Sequence, residues 1–184
     1  GILCTESEII GLSRCMMYVN QSCMNRKICI TGLLFCHKTG KVMVMQPNEY
    51  MRRAIELAKK ARGFTSPNPM VGAVIVKDGR IIGEGYHERY GQLHAERNAL
   101  ASCKESPEGA VMYVTLEPCP MCAGAIVNAR IPALYYGAKD DKAGCCGSVL
   151  NLFEERFNHH PRIYGGLMEA ECTALLQSFF QNLR

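Results

Sequence analysis

Two short segments, His94-Ala95-Glu96 and Pro118-Cys119-Pro120-Met121-Cys122, constrain this chain more than any other part of it. Each opens a stretch of helical periodicity, HAERNALASCK in the first case and CPMCAGAIVNAR in the second. Cys119 and Cys122 are three apart, so on the first turn of a helix they share a face and can grip one ion. A helix N-terminus favours thiolate over thiol, and thiolate is the form that binds metal. With His94 they make a three-ligand set that suits zinc. Glu96 lies roughly 200° around the helix from His94, which keeps it off the same ion and leaves the fourth position open. Zinc lowers the pKa of a bound water to about 7, and a carboxylate beside it can take that proton and return it to a leaving nitrogen. The residues therefore point to hydrolytic deamination of an amidine-like carbon, with His94, Cys119 and Cys122 as ligands and Glu96 as the acid–base group. Two readings compete with this one. A structural zinc would draw its fourth ligand from Cys103, Cys145 or Cys146; a redox CxxC would need neither His94 nor Glu96.

The surrounding pattern predicts an α/β fold. PNEYMRRAIELAKKAR carries an apolar helical stripe, with Asn48 as the expected N-cap and Gly63 as the stop. VGAVIVKDGRIIGEG reads as two strands joined by an Asp-Gly turn. The helix at HAERNALASCK, a strand at GAVMYVTL, the helix at CPMCAGAIVNAR and a strand at PALYYGA follow in order. SVLNLFEERF and MEAECTALLQSFFQNLR are expected to be closing amphipathic helices. Such an order implies a sheet with at least two parallel neighbours and helices on its faces.

The chain has 184 residues with a formal net charge of +4, which suits one domain plus an appended segment and is compatible with a polyanionic partner. No run reaches the roughly 18 apolar residues of a membrane span. Residues 1–46 are rich in Met and Cys and keep neither period, so they are expected to form an accessory extension without catalysis, poorly ordered or lying upstream of a natural start at Met45 or Met51. Of the 11 cysteines, Cys4, Cys15, Cys23, Cys29 and Cys36 fall early, without paired spacing. The opening GILCTESEII has acids where a signal peptide has bases. These features together point to a reducing, cytoplasmic compartment.

H-x-E followed by P-C-x-x-C resembles the signature of the zinc nucleobase deaminases, and residues 47–184 resemble the cytidine deaminase superfamily. That resemblance implies a three-layer α/β/α fold around a central mixed sheet. MYVTLEPCPMCAGAIVNARI, YYGAKDDKAGCCGSVLNL and ECTALLQSFFQNLR look like bacterial tRNA-specific adenosine deaminases, homodimers that convert the wobble adenosine of an anticodon to inosine. By that likeness Asp140 contacts the anticodon loop and the last helix, with Phe179 and Phe180, helps to clasp the RNA. Ordinary core packing is the other reading of those two rings. Arg62, Lys77, Arg89, Lys139 and Lys142 are candidates for phosphate contacts.

The first half pulls elsewhere. TSPNPMVGAVIVKDGRIIGEGYHERYGQLHAERNAL is similar to the deaminase domain of riboflavin-biosynthesis enzymes, which act on a phosphoribosylated aminopyrimidine. In that reading Asn68 and His87 touch the substrate; otherwise Asn68 shapes a loop and His87 is a surface histidine. The tight Cys119–Cys122 spacing departs from the riboflavin pattern, and the short loop from Gly85 to His94 departs from the tRNA one. The expected activity is thus deamination of wobble adenosine, with a small pyrimidine, nucleoside or nucleotide as the alternative. A non-catalytic zinc and RNA-binding relative is the third possibility, against which Glu96 stands.

Overall fold

The computed structural model describes residues 46–181, together with the backbone of a short antiparallel pair, β1 (Leu34–Phe35) and β2 (Val42–Met43). The rest of the expected 1–46 extension lies outside the described residues. Helix α1 (Pro47–Lys59) starts where proline's fixed φ suits the first helical position, with Glu49 in its first turn and Lys59 in its last. Gln46, not Asn48, takes the N-cap position, because Pro47 already occupies the first turn. Its buried stripe runs through Tyr50, Met51, Ala54, Ile55, Leu57 and Ala58.

Strands β3 (Gly72–Lys77) and β4 (Arg80–Tyr86) form the expected hairpin, antiparallel with a bulge at Ile75/Val76. Asp78 and Gly79 both have positive φ, 50° and 72°, as a two-residue turn of type I′ requires. Then follow α2 (Ala95–Ala101), β5 (Val111–Leu116), α3 (Pro120–Asn128), β6 (Ala133–Ala138), β7 (Arg162–Tyr164) and α4 (Glu169–Gln181). The sheet order is β4-β3-β5-β6-β7. Pairing is antiparallel across β4, β3 and β5, and parallel across β5, β6 and β7.

Strand alternation divides the core. Ala73 and Ile75 of β3 and Met112 and Val114 of β5 pack with Ala95, Ala99, Ala123, Ile126 and Val127 of α2 and α3. Val74, Val76 and Tyr113 face the other way, toward Tyr50, Met51, Ala54 and Ile55 of α1 and Cys172 of α4. The architecture is therefore α/β/α around a mixed sheet. Arg53 ties α1 to β4 by a two-pronged bond to Glu84, with Nε 2.7 Å from Oε1 and Nη2 2.9 Å from Oε2. Tyr113, Tyr135 and Tyr164 are register partners on β5, β6 and β7 and stack with centroids 5.0 and 4.5 Å apart.

Two expectations change. SVLNLFEERF forms only a 3-10 turn at Leu152–Glu154. Leu152 N donates instead to Cys145 O at 3.0 Å, and the Asn151 side chain caps Phe153, so the segment is bound to the preceding loop. Strand β7, which has only three residues, had no periodic signal of its own. In α4, Phe179 is buried, as core packing expects, while Phe180 is exposed. No helix among the described residues is long and apolar enough to cross a membrane, and the six described cysteines are free thiols.

Candidate active site

The site lies beyond the carboxyl end of β5, where the N-termini of α2 and α3 meet. What brings α2 there is a close approach: a Cβ at Gly85 of β4 would fall 2.3 Å from Ala99 N, so the helix rests directly on strand backbone. Asn98 Nδ2 adds a bond to Tyr86 O at 2.8 Å. His94 and Cys119 occupy the N-cap positions of α2 and α3 in extended conformation, and neither side chain caps its helix. Both are therefore left to point at each other.

His94 Nδ1 lies 3.5 Å from Cys119 Sγ and 3.6 Å from Cys122 Sγ. Tetrahedral ligation with Zn–S near 2.3 Å and Zn–N near 2.0–2.1 Å requires such N···S separations, about 3.5 Å. The three ligand atoms lie within 4.8 Å of one another and form the metal-competent group found among the described residues. Cys103, Cys145 and Cys146 are not in it, so the group has three ligands rather than four. The hydrogen bond from the Cys122 thiol, reinforced by His94, brings Cys119 down to about 4 against the effect of burial. The same bond pushes the Cys122 thiol up, and bonding to Cys119 raises His94. A set that already concentrates negative charge on sulfur suits a cation.

Glu96 is 4% exposed and outside the ligand group. Burial pushes its carboxyl up. Asn68, His87, His94, Glu96, Cys119 and Asp140 all line one cavity of about 210 Å³, with Cys122 fully buried behind it. His87 is buried, not a surface residue: Nδ1 meets Leu93 O at 3.0 Å, Nε2 meets Asn68 Nδ2 at 3.4 Å, and its ring packs edge-on to His94 with centroids 5.6 Å apart. Asp140 Oδ1 accepts from Lys142 N and Ala143 N, which makes a tight turn at the cavity wall. A second, more open cavity of about 670 Å³ adjoins the first and shares Asn68 and His94 with it. Its other walls are Tyr90, Gly91, Gln92, Leu93, Asn98 and Met121. Among the candidate phosphate contacts, Lys77 is turned to Ser106 O at 2.9 Å, and Arg89 lies over the Phe64 ring.

Glu117 received no role from the sequence, although it heads the EPCPMC segment. It is 2% exposed, lines the same cavity, and accepts from Asp140 N, Cys146 N, Ser148 N and the Ser148 hydroxyl. Burial works to raise its pKa, but these four bonds outweigh it and hold the carboxyl below its usual range. The available signal was a lone acid ending the otherwise apolar strand run MYVTL.

Residues 44–138 match the cytidine and deoxycytidylate deaminase zinc-binding region, and the chain belongs to that family. The matched region includes His94, Cys119 and Cys122, the group whose ligand atoms fit a zinc ion. The tRNA-specific adenosine deaminase of Bacillus subtilis (strain 168) is 43% identical over 149 residues, covering 76% of this chain and 91% of that protein. The riboflavin biosynthesis protein RibD of Actinobacillus pleuropneumoniae is also 43% identical, over 142 residues, covering 74% of this chain but 37% of RibD. The chain thus spans little more than a third of that relative. Among solved structures, the diaminohydroxyphosphoribosylaminopyrimidine deaminase/5-amino-6-(5-phosphoribosylamino)uracil reductase of Thermotoga maritima is similar with a TM-score of 0.64 and 40% identity, over 73% of this chain and 40% of that one.

Proposed function

We propose that residues 47–184 form a deaminase domain that converts the wobble adenosine of a tRNA anticodon loop to inosine, with His94, Cys119 and Cys122 holding zinc and Glu96 moving the proton. The observation that carries the substrate reading is the wider cavity joined to the reaction pocket at Asn68 and His94. A splayed RNA loop needs space beside the pocket for what flanks the target base, and RNA recognition relies on such single-stranded loops. The likeness along 91% of the tRNA-specific relative supports the same reading.

Bound zinc supplies an activated water at neutral pH. With zinc held by His94, Cys119 and Cys122, Glu96 would serve as the group that accepts a proton and passes one to the amino nitrogen, which departs as ammonia. Asn68 meets the base edge with the rest of its amide, His87 holds that amide in place, and Asp140 borders the base from the other wall. In this reading the protein works as a homodimer in the cytoplasm, and sedimentation of the purified chain tests the dimer.

A second reading is favoured by one feature, the Asn68–His87 pair set into the pocket, which suits a phosphoribosylated aminopyrimidine. One experiment separates the two. Zinc-loaded protein is given an anticodon stem-loop and the aminopyrimidine nucleotide in parallel, with inosine and ammonia as readouts. Inosine from the stem-loop is expected; ammonia from the pyrimidine without any inosine would overturn the tRNA reading.

A further inference from the structure

One carboxylate fastens the pocket wall to the ligand segment. Glu117 Oε1 accepts from Cys146 N at 2.7 Å and Ser148 N at 3.1 Å, while Oε2 accepts from Asp140 N at 3.1 Å and from the Ser148 hydroxyl. Beside it, Cys145 N donates to Pro118 O at 2.9 Å. The loop closes so tightly that a Cβ at Gly144 would fall 2.4 Å from Glu117 Cδ. Three of the four donors are backbone N–H groups, which cannot reverse their role. A carboxylate, with acceptors only, satisfies all of them; an amide of the same shape would turn a donor on at least one.

We propose that Glu117 is a positioning residue, whose four hydrogen bonds set Asp140 and Ala143 at a fixed place relative to Cys119. It takes no part in the chemistry and acts through the 140–148 loop. The inference rests on the deaminase reading for its kinetic consequence but not for its structural one, so two readouts are needed.

Glu117→Gln replaces one of the two acceptor oxygens with a donor, and Ser148→Ala removes one hydroxyl donor. Each is measured in the zinc-loaded chain by amide hydrogen exchange, zinc per chain, and kinetics on whichever substrate the wild type turns over. In Glu117→Gln, exchange at Asp140, Cys146 and Ser148 should quicken about tenfold or more, with zinc content unchanged and kcat/KM lower by about tenfold, mostly through KM. Ser148→Ala should show the same pattern in smaller measure. In an Asp140→Ala background, Glu117→Gln should add less than about a further twofold loss. Unchanged exchange in both variants overturns the proposal, as does loss of zinc or a fully multiplicative loss over Asp140→Ala. If Glu117→Gln does not fold, Ser148→Ala decides by the same criteria. If the wild type turns over neither substrate, the functional reading has failed, and exchange alone decides the anchoring.

Discussion

Asn68 Nδ2 stands 3.4 Å from His87 Nε2, and the other ring nitrogen of His87 faces Leu93 O at 3.0 Å. A carbonyl oxygen can only accept, so Nδ1 carries the ring proton and Nε2 is left to accept from the Asn68 amide. The pair is thereby oriented before any substrate arrives. Asn68→Ala and His87→Ala should each lower kcat/KM by about tenfold to a hundredfold, the loss expected for an unmade buried hydrogen bond. Because the two touch, the double variant should lose less than the product of the singles. Strictly multiplicative losses would mean that they act separately.

Glu96→Ala should keep its zinc and lose deamination by about a hundredfold or more, the range of acid–base contributions. Cys119→Ala and Cys122→Ala should lose the metal itself. Metal analysis beside an ammonia assay checks all three. Normal zinc content in either cysteine variant breaks the ligand assignment, and an active Glu96→Ala breaks the proton assignment.

Gly85→Ala tests how α2 is placed. Its methyl would press on Ala99 N, backbone that has little room to yield. We expect a loss of about 1–3 kcal/mol in unfolding free energy and weaker zinc retention, since α2 carries His94 at its start. Thermal melts with and without chelator read both effects; a wild-type melt would show that the helix has slack.

The Arg53–Glu84 bond gives a pH signature. Hydrogen bonding from Arg53 holds Glu84 below its ordinary 4.5. The resulting stabilisation is present above that value and is lost as the pH falls through the lower folded-state pKa. Both side chains are partly exposed, so it amounts to less than about 1 kcal/mol. The melting-point gap between wild type and Glu84→Gln should close on acidification below 4.5. A gap unchanged by acid would remove the pair from the account.

The metal-competent cluster was legible in the sequence because its chemistry is local. Three-residue spacing and helix-opening positions place Cys119 and Cys122 together, and H-x-E supplies the third ligand with a carboxylate turned away from it. The hairpin was equally plain from Asp78-Gly79. What escaped depends on partners distant in the chain. Glu117 acquires meaning only when residues 140–148 fold around it, and β7 is a strand only because β6 offers an edge. The burial of His87 likewise depends on Asn68, Val71 and Leu93, none of them adjacent to it.

The stacked rings of Tyr113, Tyr135 and Tyr164 have a practical use. The chain contains eight tyrosines and no tryptophan, so phenols dominate its ultraviolet emission and the long-wavelength end of its near-ultraviolet dichroism. Three of these are held face to face across the parallel half of the sheet. Their coupled signal is therefore a built-in optical gauge of whether β5, β6 and β7 are in register, readable without any added dye.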